Sequence, residues 1–382
     1  MAKKKKEKKF SSFVDKPFDF VLFIVILLLL SLGIVMVLSA SAPSALAETG
    51  NSYEYVTTQA VSAVIGIVLM LFISKIDYRF YKKFYKILYW MSIVLLAVVA
   101  IPGVGYSANG ATRWINLGFT TFQPSEIVKI ALIIFYAVYL TNNREKLSKW
   151  KNGFLIPFII LIPIILILVL VQDHLSATLV IVAIVSIMML TAGTKLKHFI
   201  ITGVPIASVG ILGLIVAAKF FDIGNFRLAR LTAFLDPWKD AQGSGWQIIQ
   251  SLYAIGSGGL FGAGLGNSKQ KYLYIPEPQN DFIFSVLAEE LGFVGCVAVI
   301  VLFAIFIWRG ILIAMKAPDM YGSLLAVGIT SLVGIQAIIN IAVVTSSIPN
   351  TGMPLPFFSY GGTALLILLC AMRHFIKYIT CK

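Results

Sequence analysis

Long apolar runs separated by short polar breaks dominate this chain. The first extends from Phe18 to about Leu38, and others follow at about 57–74, 86–102, 124–141, 153–171, 175–193, 198–219, 282–308, 321–346 and 357–379. An apolar run of roughly 18 or more residues is long enough to cross the hydrocarbon core as a helix. The pattern therefore predicts an all-α polytopic membrane protein with ten transmembrane helices. Pro157, Pro163 and Pro205 fall inside or at the ends of runs, where neighbouring helices in a bundle can tolerate them. A basic stretch at residues 2–9 precedes the first run, and Ala45-Leu46-Ala47 mimics a cleavage site. The run exceeds the about 7–15 residues of a signal-peptide core, so it reads as an uncleaved first helix.

Charge sets the orientation. Charged residues make up 13% of the 382, against about 25% in soluble domains. Lys and Arg number 31 against 17 Asp and Glu. In a soluble protein that excess would suggest nucleic acid, but here the bases fall between apolar runs, where they set topology. With a cytoplasmic N-terminus, the inner loops carry Lys75, Arg79, Lys82, Lys83 and Lys86, then Arg144, Lys146, Lys149 and Lys151, then Lys195 and Lys197, and later Arg309 and Lys316. The outer breaks at 43–55, 172–174 and 347–356 carry no Lys or Arg, and the 103–123 loop has Arg113 alone. The chain thus divides into a basic cytoplasmic tail (1–17), a membrane domain (18–379) and a cytoplasmic C-terminus (380–382), with both termini inside. One long extracellular loop, 220–280, joins helices 7 and 8. Its Arg227, Arg230, Lys269 and Lys271 break the charge rule, but long loops cross regardless of charge. Those bases fit an anionic ligand better than a topology signal.

That loop also concentrates candidate chemistry. Residues 246–255 have helical apolar spacing, with Gln247 and Gln250 on a polar side, and predict a short interfacial helix. The glycine-rich run 256–266 has two readings: a tightly packed turn, or a loop whose amides meet phosphate near Lys269 and Lys271. Pro276-Glu277-Pro278-Gln279-Asn280 cannot continue a helix, so the next helix is expected to start at Asn280, capped by it, with Asp281 in the first turn. A carboxylate there either serves helix electrostatics or does chemistry. Glu290 lies half a turn away by rotation and about 13 Å deeper, so it should not share a site with Asp281. It is expected to pair with a base or backbone inside the bundle.

Glu126 and Lys129 form a second intramembrane pair, on one helix face by their i, i+3 spacing, just after Pro124. Two charges among Ile, Leu, Ala and Phe are expensive unless they face a polar cavity, where Lys129 could meet a phosphate. The stretch 347–362 packs prolines and glycines into a rigid re-entrant turn. Cys296, Cys370 and Cys381, and His174, His198 and His374, are mutually remote, so neither a disulfide framework nor a His-based metal site is expected.

Three motifs in order carry a family resemblance. Phe122-Gln123-Pro124-Ser125-Glu126 with Lys129, Pro276-Glu277 with Asp281-Phe282-Ile283-Phe284 and Glu289-Glu290-Leu291-Gly292, and Pro354-Leu355-Pro356-Phe357 with Ser359-Tyr360-Gly361-Gly362 resemble the SEDS family of bacterial cell-wall synthesis, FtsW, RodA and SpoVE. Asp236-Pro237-Trp238 and Asn267-Ser268-Lys269-Gln270-Lys271 look more like FtsW and SpoVE than RodA. The resemblance covers nearly the whole chain from Phe18. It implies a peptidoglycan glycosyltransferase that polymerises lipid II at the outer face of the cytoplasmic membrane, beside a single-pass class B penicillin-binding protein. Asp281 matches the essential carboxylate, a general base for the acceptor hydroxyl, and Glu126 and Lys129 match the polar pair of the central cavity. Arg113, Arg227, Arg230, Lys269, Lys271, Glu277 and Ser359 complete the expected substrate-binding set. A divalent cation, magnesium or manganese, at the pyrophosphate is compatible with this chemistry, although no ligand spacing supports one.

The chain departs from the family pattern at Gln172-Asp173-His174-Leu175-Ser176, where many members have a Pro-Asp-Leu-Gly-like turn, which leaves the role of Asp173 open. Asn280 takes the place of a usual Thr. A transporter or lipid II flippase is the rival reading, since buried charges also mark transport paths. Such carriers are built from inverted repeats, and the first five helices show no clear pairing with the last five. A structural scaffold for a division complex is the third.

Overall fold

The computed structural model describes residues 19–376, except 109–110, 117, 119–120, 206–207, 209–232, 244 and 273. The basic tail, the C-terminal residues from 377, Arg227, Arg230 and most of the run expected at 198–219 lie outside the described residues.

Helices form where the apolar runs predict them. They are α1 (Phe20–Thr49), α2 (Glu54–Ile73), α3 (Tyr85–Val98), α4 (Pro124–Asn142), α5 (Lys151–Val171, π-helical at both ends) and α6 (Leu175–Ala192). Leu196–His198 and Phe199–Gly203 begin a further helix. After it come α7 (Trp246–Ser257), α8 (Ile283–Lys316), α9 (Met320–Val344) and α10 (Gly362–Ile376). Among the described residues seven helices are long and apolar enough to span a membrane, and α3 and α10, at 14 and 15 residues, are shorter. Boundaries follow local chemistry. Asp19 caps α1 by accepting from the Leu22 amide at 3.1 Å, and Gly50 ends it at φ 74°. Pro124 occupies the first turn of α4, where its missing N–H costs nothing.

The helices sort into an inner and an outer set. α4 and α9 are largely buried, whereas α2, α5 and α8 turn apolar faces outward, including Val61, Val64, Val68, Ile159, Leu166 and Leu170. An exposed apolar surface of that extent matches lipid rather than water. α9 is the post of the bundle: α4, α6 and α8 all pack against it, and α10 packs chiefly on α2.

Three features depart from the sequence-based expectations. The 103–123 loop is a small antiparallel sheet, β1 (Gly105–Ala108), β2 (Ala111–Asn116) and β3 (Thr121–Phe122), in the order β1-β2-β3. The buried Ala111 and Ile115 sit on one face of β2 with Arg113 between them, a period-2 signal too short to stand out between helices. The helix α8 is kinked rather than continuous: Gly292 has φ 66° and ψ −166°, open only to glycine. Finally, α7 forms as expected, but Gln250 is buried with Ile248, Ile249 and Ser251 against α8 and not on a polar side.

The kink explains the glycine-rich run. Ala263 and Gly264 amides donate to the Glu289 and Glu290 carbonyls at 2.9 and 3.1 Å, and the Phe293 and Val294 amides donate back to Gly259 and Leu260. A Cβ on Gly258 or Gly262 would come within 2.0–2.1 Å of backbone oxygens of α8. Of the two readings of this run, the packed turn is the one realised.

Candidate active site

Several backbone segments without regular structure meet at the N-terminal ends of α4, α6 and α8. Gln123 precedes α4, His174 precedes α6, the turn 276–282 precedes α8, and the loop 346–361 joins α9 to α10. Hydrogen bonds tie them together. The Nδ2 of Asn340, near the end of α9, donates to the carbonyls of Asp281 and Met353, both at 2.7 Å. The Tyr360 amide donates to Gln279 O at 2.9 Å. Ser176 Oγ donates to the Thr351 carbonyl, and Asn350 Nδ2 donates to Gln247 Oε1 at 3.1 Å. Gln123 and His174 meet through their Nε2 atoms at 3.0 Å.

Asp281 lies in the turn before α8. The helix begins at Ile283, with Phe282 at the cap, so Asn280 is not its N-cap as expected. Instead the Asn280 amide donates to the Glu277 carbonyl at 3.0 Å and its side chain to Glu277 Oε2 at 2.7 Å. Glu277 itself sits at φ 45°. The two prolines and this positive φ hold a tight turn that delays the helix. Asp281 therefore stands just before the cap residue and not in the first turn, and its half-buried side chain faces Gly352, where an added Cβ would lie 3.7 Å from Oδ2.

Lys129 is buried, with a side-chain exposure of 1%, and donates to Glu126 Oε1 at 2.8 Å. At 1.5 Å per residue its Cα lies about 7.5 Å down the helix from Pro124. Ser125, on the same face one turn outward, keeps a buried Oγ without a partner among the described residues. Arg113 reaches from β2 to the α5–α6 junction, donating to Gln172 O at 3.2 Å and Asp173 O at 2.6 Å, which fixes Asp173 at φ 46°. His174 is buried between these bases. Burial first, then the charges of Arg113 and Lys129, push its imidazole down to about 3, so it is neutral. With Gln123 Nε2 as donor, His174 Nε2 accepts, which leaves the proton on Nδ1, a buried atom without a partner among the described residues. The first turns of three helices, two bases and neutral donors thus gather where an anion would be stabilised.

Two expected substrate-binding residues have other work. Lys271 is buried, and its ammonium donates to Glu290 Oε1 at 2.9 Å, Ser39 Oγ at 3.0 Å and Gly266 O at 2.6 Å. All three of its hydrogens are engaged, so it does not face a ligand. Ser359 is buried too, its Oγ accepting from the Leu355 amide at 2.7 Å while its carbonyl accepts from Gln59. Lys269 and Glu277 are exposed on the loop surface. The loop amides do bind carboxylates, but the chain's own: Lys269 N donates to Glu289 Oε1 at 2.8 Å and Ser268 N to Glu290 Oε1 at 3.2 Å. Among the described residues no group of three or more His, Cys, Asp or Glu is arranged to hold a metal.

Sequence reasoning passed over His174, Ser176 and Asn340. The departure at residues 172–176 marked the first two, and Asn340, an amide in Ile-Ile-Asn-Ile-Ala, carried the signal of a lone polar group in an apolar run.

Residues 19–377 match the family model of FtsW, RodA and SpoVE, described as cell cycle protein. The chain is 44% identical over 354 residues to stage V sporulation protein E of Bacillus subtilis, covering 93% of this chain and 94% of that one. It is 42% identical to a probable peptidoglycan glycosyltransferase FtsW of Trichlorobacter lovleyi, covering 94% and 93%. Among solved structures, a peptidoglycan synthase complex that coordinates polymerization and crosslinking superposes with a TM-score of 0.76 at 28% identity, covering 94% of this chain and 96% of its own. The rod shape determining protein RodA of Thermus thermophilus superposes at 0.67 with 26% identity, covering 94% and 95%. On motif, sequence and fold together, the chain belongs to the FtsW/RodA/SpoVE family.

Proposed function

We propose that this protein is a peptidoglycan glycosyltransferase that polymerises lipid II at the outer face of a bacterial cytoplasmic membrane, with Asp281 as general base. The observation that carries the reading is the placement of Asp281: it stands outside its helix, its backbone carbonyl held by Asn340 and its carboxylate facing Gly352, in a loop to which Ser176, two residues after His174, is also tied. The topology that goes with it has ten spans, both termini in the cytoplasm and residues 220–280 outside.

Asp281 takes the proton from the 4-hydroxyl of the acceptor's GlcNAc as that oxygen bonds to the anomeric carbon of the donor's MurNAc. The bond from that carbon to the pyrophosphate oxygen breaks, and undecaprenyl pyrophosphate leaves with the electron pair, inverting the centre. The leaving group is already an anion, so it needs cations rather than an acid. In this reading Lys129 and Arg113 supply them, with Lys269 and the loop bases Arg227 and Arg230 as further contributors. The name of the 28%-identical synthase complex supports a crosslinking partner, here a single-pass class B penicillin-binding protein.

The test is polymer formation from purified lipid II in detergent or liposomes, with and without that partner, comparing the wild type with Asp281→Asn. Asn keeps the shape of the turn, so the expected result is polymer from the wild type and a loss of about 10²–10⁴-fold in the variant. Polymer from both would remove Asp281 as the base. Polymer from neither, with lipid II crossing the bilayer, would replace the enzyme by a flippase.

A further inference from the structure

Asn340 is 1% exposed and stands near the outer end of α9, among Ile338, Ile339, Ile341 and Ala342. An amide there is costly unless its polar atoms are matched. Half of it is matched: both Nδ2 hydrogens are used, at 2.7 Å each, on the carbonyls of Asp281 and Met353, while Oδ1 is buried without a partner among the described residues. The donors are what this position supplies.

Those donors bridge two segments that have no ladder or helix between them. One carries Asp281, the other Gly352, next to Met353. The Asp281 side chain and the Gly352 Cα face each other: a Cβ on Gly352 would stand 3.7 Å from Asp281 Oδ2. The bridge springs from α9, the helix against which α4, with Lys129, and α6, just after His174, are also packed. One side chain therefore references the carboxylate to the frame that holds the cations.

We propose that Asn340 is the positioning residue for Asp281, setting the spacing of its carboxylate from the Gly352 loop and so its aim at the acceptor hydroxyl. It acts through Asp281 and does not touch substrate, and the inference rests on Asp281 being the base.

The test uses the full-length protein with its transpeptidase partner and lipid II. Asn340→Leu removes the donors and the polarity, and Asn340→Asp keeps the shape while removing the donors. Both are expected to lower kcat by roughly ten- to a hundredfold with KM within about threefold, because misplacement by about 1 Å costs up to a hundredfold. Thr330→Val, a buried polar change on the same helix whose Oγ1 serves only its own backbone, is the control and should keep kcat at matched loss of melting temperature. In an Asp281→Asn background, Asn340→Leu should cost nothing more, since its effect passes through the missing base. The inference is overturned if both Asn340 variants keep kcat, if they raise KM instead, or if Thr330→Val lowers kcat as much. Should Asp281→Asn itself remain active, the base reading falls and the positioning role with it. If Asp281→Asn is dead while the Asn340 variants turn over normally, only the positioning role falls.

Discussion

Lys271 and Glu290 form an ion pair of 2.9 Å in which the side chains are 4% and 0% exposed. The pair joins the loop that precedes α8 to that helix, and Ser39 of α1 donates to both Glu290 oxygens at 2.6 and 2.7 Å. Glu289, its neighbour, accepts from Ser268 Oγ and the Lys269 and Gln270 amides. Two acids, eight and nine residues beyond the proposed base, thus anchor the loop.

Removing one partner of this pair should be worse than removing both. Lys271→Met leaves a buried carboxylate with its charge uncompensated, a loss of roughly 3–5 kcal/mol. Lys271→Met with Glu290→Gln removes that charge and should recover part of the loss. Thermal unfolding in detergent measures both, and protease cleavage within 258–275 reports loop release. Equal destabilisation by the single and double variants would mean the ion pair is not what holds the loop.

Two loop glycines separate conformational freedom from close packing. Gly266, at φ 86°, has open space around its missing Cβ, so Gly266→Ala should cost only the left-handed backbone, about 1–2 kcal/mol. Gly262, at φ 79°, would drive a Cβ to 2.1 Å from Glu290 O. Gly262→Ala must add a backbone displacement at the kink, and its melting temperature should fall well below that of Gly266→Ala. Matching losses would show that the loop yields without cost.

The helices were legible because length and hydropathy are local properties: the runs at 124–141 and 175–193 match α4 and α6 to within a residue or so. Glu290 was legible too, since a buried acid must find a base. What sequence could not give was which base. Lys271 and Lys269 stand two residues apart in one polar stretch, yet one is buried and the other exposed, a choice made by the distant Ser39 and Glu290. The start of α8 was misjudged by the same token. Asn280 has cap chemistry, but its amide is closer to Glu277, whose positive φ no residue pattern announces. Asn340 was invisible as a partner of Asp281 because the two are 59 residues apart.

Lys129 and Glu126 should divide activity from stability. If Lys129 neutralises the leaving pyrophosphate, Lys129→Met removes an interaction made mainly in the transition state, and polymerisation should drop by about a hundredfold or more. Glu126→Gln leaves the ammonium in place but unpaired at 1% side-chain exposure, so it should lower the melting temperature more than Lys129→Met does, with a smaller effect on kcat. Steady-state kinetics on lipid II with parallel melts decides it. Full activity in Lys129→Met would take this residue out of the leaving-group site.

His174 makes a prediction about acid stability whose sign is fixed by its burial. Its folded imidazole is held down to about 3 by burial and by Arg113 and Lys129, against about 6.5 when unfolded. Between those values the unfolded chain binds a proton that the folded chain refuses, so stability is complete above pH 6.5 and declines as the pH falls towards 3, by at most about 1.4 kcal/mol per pH unit. His174→Gln cannot titrate, and an amide in its place can still meet Gln123. The fall of melting temperature from pH 6.5 downward should therefore be shallower in His174→Gln than in the wild type, with the two converging in slope above pH 7. Activity between pH 6 and 8 should keep the same pH profile in both, because the wild-type imidazole is already neutral there. Parallel melting curves across the acid range would place His174 in contact with solvent protons and undo the neutral donor assigned to it.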